Sequence, residues 1–450
     1  MNSDILKRTV EKTNLYTNYG KVTDIIGLVV ESLGPDNVAV GELCYIGDHY
    51  DDVIRAEVVG FRGRKILLMP LGEIEGIRLG TSVFRANRQF SIPVGRGLLG
   101  RVVNGLGEPI DGKGPIHSEI LKTLQGQPPD PLSRRRVKEP LGTGVKALDG
   151  LVSLGLGQRM GIFAGSGVGK STLMGMIARH SSADVNVIAL VGERGKEVLD
   201  FIEDVLGPDG LRRSVVVVAT SDQPALIRLK APFVATAIAE YFRDFGNDVI
   251  LMMDSLTRVA MAQREVGLAA GEPPTSRGYT PSVFALLPRL LERAGMTESG
   301  SITGLYTVLV EGDDFDEPIA DASRAILDGH LVLSRTLASR GHFPPIDVME
   351  SVSRVMKDVV SEAHWKGAMD AKEMVAAYSE AEDLINIGAY KQGNNPRIDR
   401  ALHFIEPLNE YLRQGLEHNF DIGFDENIQT LLGVLANSPS ENNVETINVA

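Results

Sequence analysis

The sequence predicts an α/β core built on a mainly parallel sheet, preceded by a small β-barrel and followed by a helical domain. Three observations carry that reading. Short strand-like runs broken by glycines fill the first ~90 residues, the pattern of a small barrel. Through the middle, apolar strand-like runs alternate with helical stretches, as they do when helices cover both faces of a parallel sheet. Towards the end, apolar residues recur at helical spacing. At 450 residues the chain is too long for one compact core, so several domains are expected.

Taken in order, residues 1–20 form a separate amino-terminal segment. Within it, 4–15 is compatible with a short helix carrying Ile5, Leu6 and Val10 on one side, either docking or frayed. Residues 21–92 are assigned to the barrel, with strands expected at 24–31, 53–61 and 64–69 and with Gly60, Gly63 and Gly72 among the breaks. Between Gly105 and Pro140 the chain is rich in Gly, Pro and charge, which reads as turns and linker. The α/β domain is placed at 93–365, with its clearest strands at 187–191, 214–219, 249–253 and 305–309. The helical domain is placed at 366–436, with helices at 371–387 and 398–416 ended near Gly388 and Gly415. The tail, 437–450, has few apolar residues and is expected to be disordered.

Composition narrows the function. Apolar residues at 43% and charged residues at 23% are an ordinary globular balance. No apolar run reaches the roughly 20 residues that span a bilayer. The first residues lack the apolar core of a secretory signal. A single cysteine, Cys44, excludes an internal disulfide and suits a reducing cytoplasm. The net charge is −13, and residues 371–450 hold 5 Lys/Arg against 13 Asp/Glu, an acidic end that repels phosphate backbones and argues against nucleic acid. The basic run Arg134-Arg135-Arg136 reads as a solvated linker or a subunit contact, with an anion contact as the other possibility.

The strongest local signal is Ala164-Gly-Ser-Gly-Val-Gly-Lys-Ser171, a phosphate-binding loop between a strand at 160–163 and a helix at 172–179. Gly165, Gly167 and Gly169 let backbone N–H groups turn towards phosphate oxygens, and Ser166 and Val168 complete the loop. Lys170 supplies a cation for the terminal phosphates of ATP. Ser171 offers a hydroxyl to Mg²⁺, and the helix running on through Thr172 points its positive end at the anion. Downstream, the apolar run 249–253 ends in Asp254, which either holds Mg²⁺ or its water shell or caps the next helix. The strand at 187–191 ends near Glu193. A carboxylate there can orient the water that attacks the last phosphate, although in isolation a surface ion pair of Glu193 or Arg194 is the favoured explanation.

Beyond the loop, the segments 100–112, 157–171, 254–265, 327–335 and 344–353 resemble the catalytic subunits of rotary ATPases. The likeness runs from about Gly20 to Leu432 and is closest to the flagellar protein-export ATPases. It implies a RecA-like core and roles for particular residues. Glu193 falls on the family's water-positioning glutamate, and Arg194 and Arg258 fall where arginines surround the γ-phosphate. Arg354 falls on an arginine finger given across a subunit interface, and Phe343 on an aromatic that stacks on adenine. Structural ion pairs for Arg258 and Arg354, and a core position for Phe343, are the plainer alternatives. The resemblance further implies a homohexamer, a stator-like regulator at the amino terminus and a central stalk protein. Export chaperones and their substrates would be further partners, with an export gate at the cytoplasmic face of the inner membrane.

Glu193 argues against a non-catalytic ring subunit, and residues 276–293 resemble export ATPases more than ATP synthases. The injectisome ATPases of virulence secretion share nearly all these motifs, but residues 27–31 and 67–73 look more flagellar. A related hexameric RNA translocase would need a basic, aromatic face that this acidic, aromatic-poor chain does not offer.

Overall fold

The computed structural model describes residues 19–48, 53–310, 312, 314–416 and 423–436. The expected helix at 4–15 and the tail from 437 lie outside these residues.

Six antiparallel strands, Tyr19–Ile26, Val29–Leu33, Glu42–Ile46, Ile54–Arg62, Lys65–Pro70 and Ser82–Gln89, close into a barrel. Alternate side chains fill its interior, among them Val22, Val30, Ile46, Val58, Leu68 and Val83. Cys44 lies there too, and burial pushes its thiol up to about 12, so it packs as a small apolar group. The single strand expected at 24–31 is in fact a hairpin. Ile26 pairs with Val29 across the two-residue turn Gly27-Leu28, where Gly27 takes φ +57°. An unbroken run of β-formers hid that turn, because only one glycine marks it.

The central sheet is parallel except at one edge and at the two-residue strand Gly295–Met296, which pairs antiparallel with Ser301–Leu309. Its strands run in the order Ile346–Ser353, Gly329–Leu333, Arg159–Ala164, Ser301–Leu309, Asp248–Asp254, Val185–Val191, Ser214–Ala219 and Arg101–Asn104, the first antiparallel to its neighbour. Arg101–Asn104 comes from just before the Gly/Pro-rich linker, so the sheet recruits a strand that its local sequence did not mark. Successive residues of the inner strands feed opposite cores. Val187, Ala189, Val215 and Val217 enter one core with the helix Ala225–Asp244. Ile188, Leu190, Val216 and Val218 enter the other, with the helix Lys170–His180. Strands buried on both faces read as continuous apolar runs, which is why these were found from sequence.

The carboxyl-terminal helices belong to that second core through Ala368, Phe404, Leu408 and Leu431. The first, Glu362–Asn386, starts earlier than expected because Ser361 caps it by accepting from the His364 N–H. The next, Pro396–Leu412, stops short of Gly415, and a third, Phe424–Ala436, was not anticipated.

Buried polar contacts join these helices to the core, where Asn427 Nδ2 donates to Asp149 Oδ2 at 3.5 Å. One oxygen of Asp149 accepts from the Thr143 N–H (2.8 Å) and hydroxyl (2.7 Å), and the other accepts from the Gly144 N–H at 3.1 Å. Tyr411 donates to Asn427 Oδ1 at 2.9 Å beside them. Replacing Asp149 by Asn necessarily points an amide N–H₂ at one of these donors. The expected cost is about 1–3 kcal/mol, seen as a lower denaturant midpoint; an unchanged midpoint would show that the joint adds nothing.

Candidate nucleotide site

Strand Arg159–Ala164 runs into a glycine loop that opens the helix Lys170–His180. Gly167 (φ +76°) and Gly169 (φ +108°) occupy left-handed backbone that a side chain would strain, and Gly169 is the residue from which the helix starts. The helices Leu256–Ala270, Glu362–Asn386 and Pro396–Leu412 are capped by Ser255, Ser361 and Asn395. The loop helix has no such side-chain cap. Its first N–H groups therefore face the cleft as donors, together with the positive end of the helix dipole, which is the requirement of a phosphate site.

Neighbouring parallel strands bring the charges to this loop. Lys170 Nζ lies 2.5 Å from Asp254 Oδ1 and 3.5 Å from Glu193 Oε1. Asp254 ends its strand buried and accepts a second hydrogen bond from the Thr307 hydroxyl at 2.8 Å. Ser255, not Asp254, caps the following helix, which removes the capping alternative. Glu193 is held through its carbonyl, which accepts from the Ser221 N–H at 3.0 Å. Burial pushes its carboxyl up to about 7, with the Asp254 charge acting in the same direction and Lys170 opposing both.

These groups border a cleft of about 500 Å³ lined by Gly165, Ser166, Gly167, Gly169, Lys170, Ser171, Thr172, Glu193, Arg194 and Arg258. Val168 turns away into the core. Ser171, Glu193 and Asp254 meet again in a small adjoining recess. A hydroxyl beside a carboxylate is a hard-oxygen donor set. It suits Mg²⁺, which takes one or two protein oxygens and the rest from phosphate and water, so Ser171 and Asp254 fit that ion.

Arg258 enters the cleft with its buried Nε lacking a hydrogen-bond partner, so its guanidinium keeps a donor in hand. Arg194 is 84% exposed and only loosely paired, 3.9 Å from Glu197. Phe343 is 49% exposed, which rules out the core alternative, and its loop runs beside the P-loop, with Pro345 next to Gly169. Arg354 is not brought to the cleft of its own chain. It is exposed just beyond the antiparallel edge strand and has no salt bridge among the described residues.

Several site residues escaped the sequence reading. Gly192, Ser221 and Leu309 line the cleft, Thr307 supports Asp254, and the Arg335 guanidinium lies against Gly165. Arg335 closes the family-like stretch 327–335, which was the only available signal. The others carry no signature outside the fold.

Known proteins match along nearly the whole chain. Residues 144–353 match the nucleotide-binding domain of the ATP synthase alpha/beta family, and residues 22–87 match that family's beta-barrel domain. Residues 360–432 match the C-terminal domain of the type III secretion ATPase EscN. A flagellum-specific ATP synthase of Bacillus subtilis is 55% identical over 93% of this chain and 95% of its own length. A type 3 secretion system ATPase of Xanthomonas euvesicatoria is 53% identical over 91% and 92%. Among solved structures, the assembled EscN ATPase of enteropathogenic E. coli in complex with its central stalk EscO superposes with a TM-score of 0.85. It is 44% identical, over 92% of this chain and all of that one.

The Glu193 titration offers a direct check on the charge balance. Difference infrared spectroscopy of its carboxyl stretch is expected to show a midpoint near pH 7. Lys170→Met removes the opposing cation and should move the midpoint up, while Asp254→Asn removes a like charge and should move it down. Two shifts of the same sign would refute this electrostatic picture.

Proposed function

Because the chain belongs to the ATP synthase alpha/beta family, we propose that it is the ATPase of a flagellar type III protein-export apparatus. It works as a homohexameric ring at the cytoplasmic base of the export channel, where ATP hydrolysis releases or unfolds chaperoned cargo. The observation that carries this reading is the Lys170, Asp254 and Glu193 cluster at an uncapped helix N-terminus, with Arg354 exposed and not among the residues lining its own cleft.

The loop amides and Lys170 bind the β- and γ-phosphates, and Phe343 stacks on adenine. When bound at Ser171 and Asp254, Mg²⁺ supplies positive charge that offsets the charge on the phosphates. Glu193, once ionised, accepts a hydrogen bond from the attacking water and aims it at phosphorus. Arg258 and Arg194 face the γ-phosphate, and Arg354 reaches the cleft of the neighbouring subunit to stabilise transition-state charge. The barrel (21–92), the ATPase core (93–365) and the helical region (366–436) serve as the three working units. A stator-like regulator sits at the amino end. A central stalk, as in the EscN–EscO complex, occupies the ring, and cargo with its chaperones meets the carboxyl-terminal helices before passing to the export gate. No described helix is long and apolar enough to cross a membrane, in keeping with a peripheral position at the inner membrane.

An injectisome ATPase is the second reading, favoured by the 53% identity to a type 3 secretion system relative. Residues 27–31 and 67–73 tip the balance to the flagellar one. Restored motility in a strain lacking its flagellar export ATPase is the expected outcome; restored virulence secretion with no motility would reverse the choice.

Specific ATPase activity should rise steeply with protein concentration and fall about 10³-fold in Arg354→Ala. Glu193→Gln should be nearly inactive, and mixing the two variants should recover part of the turnover, since each supplies what its neighbour lacks. Concentration-independent activity that survives Arg354→Ala would exclude the shared site. As pH falls, kcat/KM is expected to drop through a midpoint near 7, because protonated Glu193 can no longer accept from water. A flat profile from pH 8 to pH 6 would remove Glu193 from that role.

A further inference from the structure

Gln414 lies just past the helix Pro396–Leu412, only 7% exposed, and ties the 143–146 turn to the segment that carries Phe343. Its side chain is held at both ends by one turn of the core. Oε1 accepts from the Lys146 N–H at 2.9 Å, and Nε2 donates to the Gly144 carbonyl at 2.9 Å. A carboxamide can make both bonds, accepting at one atom and donating at the other. From that fixed position its backbone N–H donates to the Phe343 carbonyl at 2.8 Å.

One end of this bridge packs on the loop helix, and the other belongs to the segment whose Pro345 lies beside Gly169. The 143–146 turn is pinned by Asp149, and Gly144 packs so closely on His180, the last residue of the loop helix, that a Cβ there would stand 2.5 Å from the His180 Cβ. On the other side, Phe343 is half exposed, so packing alone does not set its ring. Backbone bonds hold the main chain that carries it. The His342 N–H donates to Leu337 at 3.0 Å, the Pro345 carbonyl accepts from Ser334 at 2.8 Å, and the Phe343 carbonyl between them is held by Gln414.

We infer that Gln414 is a positioning residue for the nucleotide base: by anchoring in the 143–146 turn it holds the Phe343 backbone where the ring can stack on adenine. The inference rests on the stacking role proposed for Phe343. It also makes the carboxyl-terminal domain part of base recognition, since Gln414 follows directly from that domain's second helix. A purely structural fastener would behave differently, because its loss would affect every ligand of the cleft alike.

The test compares ATP with inorganic tripolyphosphate, which has the phosphates and no base, on the full-length chain. Binding of each is measured by calorimetry for the native protein, Gln414→Ala, Gln414→Glu and Phe343→Ala. Gln414→Ala should weaken ATP about 5- to 10-fold, the equivalent of one lost hydrogen-bonded anchor, and leave tripolyphosphate within about 2-fold. KM for ATP should rise while kcat is kept. Gln414→Glu retains the bond from Lys146 but turns a carboxylate oxygen on the Gly144 carbonyl, so it should show the same selectivity with a change at least as large. Tripolyphosphate binding reports in each variant that the phosphate loop is intact, which keeps the test decisive if one variant folds poorly. Phe343→Ala should give the same pattern, and adding Gln414→Ala to it should weaken ATP no further. If Phe343→Ala is base-selective but both Gln414 variants affect the two ligands equally or not at all, the inference is wrong and the stacking reading survives. If Phe343→Ala is itself indifferent to the base, stacking fails and the positioning role falls with it.

Discussion

One ammonium group serving two carboxylates is the constraint on which the rest of the structure depends. Lys170, Asp254 and Glu193 come from three separate places in the chain, and only a parallel sheet of this strand order brings their positions to one edge. The loop follows Arg159–Ala164, and Asp254 ends Asp248–Asp254. Glu193 follows Val185–Val191, whose Leu190 is in register with Asp254. Parallel strands share the direction of their carboxyl ends, so all three groups reach the same crevice. The strand between the loop strand and the Asp254 strand, Ser301–Leu309, supplies Thr307, whose hydroxyl fixes the carboxylate that Lys170 contacts.

What could be read from the sequence follows from how local each signal is. The glycine loop, the continuous apolar strands and Asp254 are visible because each is written in a short contiguous stretch. Thr307, Ser221 and Arg335 are not, because their roles come from register and from a return of the chain over a long separation. The same distinction explains the secondary structure. Arg101–Asn104 is strand because Ser214–Ala219 offers it an edge, and nothing within those four residues requires it. The turn at Gly27-Leu28 is fixed by barrel closure, which no window of local sequence contains. The helix Pro396–Leu412 gives way to extended backbone at Arg413, and the next residue, Gln414, bonds the Phe343 carbonyl, a contact invisible to helical periodicity.

The expected division between core and helical domain is also less sharp in energetic terms than in sequence. Leu173, Met176 and Ile177 of the loop helix share one apolar core with Phe404, Leu408 and Leu431. Burial of that kind contributes roughly 1.5–3 kcal/mol per large side chain, so the helices cannot tilt freely without disturbing the element that presents donors to phosphate. The polar joint of Asp149, Tyr411 and Asn427 adds direction to that contact, since hydrogen bonds tolerate less displacement than apolar surfaces do.

On the proposed reading, the charge count of the cleft gives a reason for a lone subunit to be a poor catalyst. Without nucleotide, Lys170 shares its charge between Asp254 and Glu193, and even so Glu193 sits near neutrality. A polyphosphate claims Lys170 for itself and brings further negative charge towards Glu193. Both changes favour protonated Glu193, the form that cannot order water. A cation at Ser171 and Asp254 relieves Asp254, and Arg258 offers its unpaired donor, but Arg194 is too exposed and solvated to contribute much. The cleft is therefore short of buried positive charge where Glu193 needs it. Arg354 is a charge without a salt-bridge partner on its own chain, among the described residues, and it lies exposed on the surface. On the proposed reading, the finger stabilises the transition state. It also helps keep Glu193 ionised once nucleotide is bound, which makes assembly a condition for having the base at all.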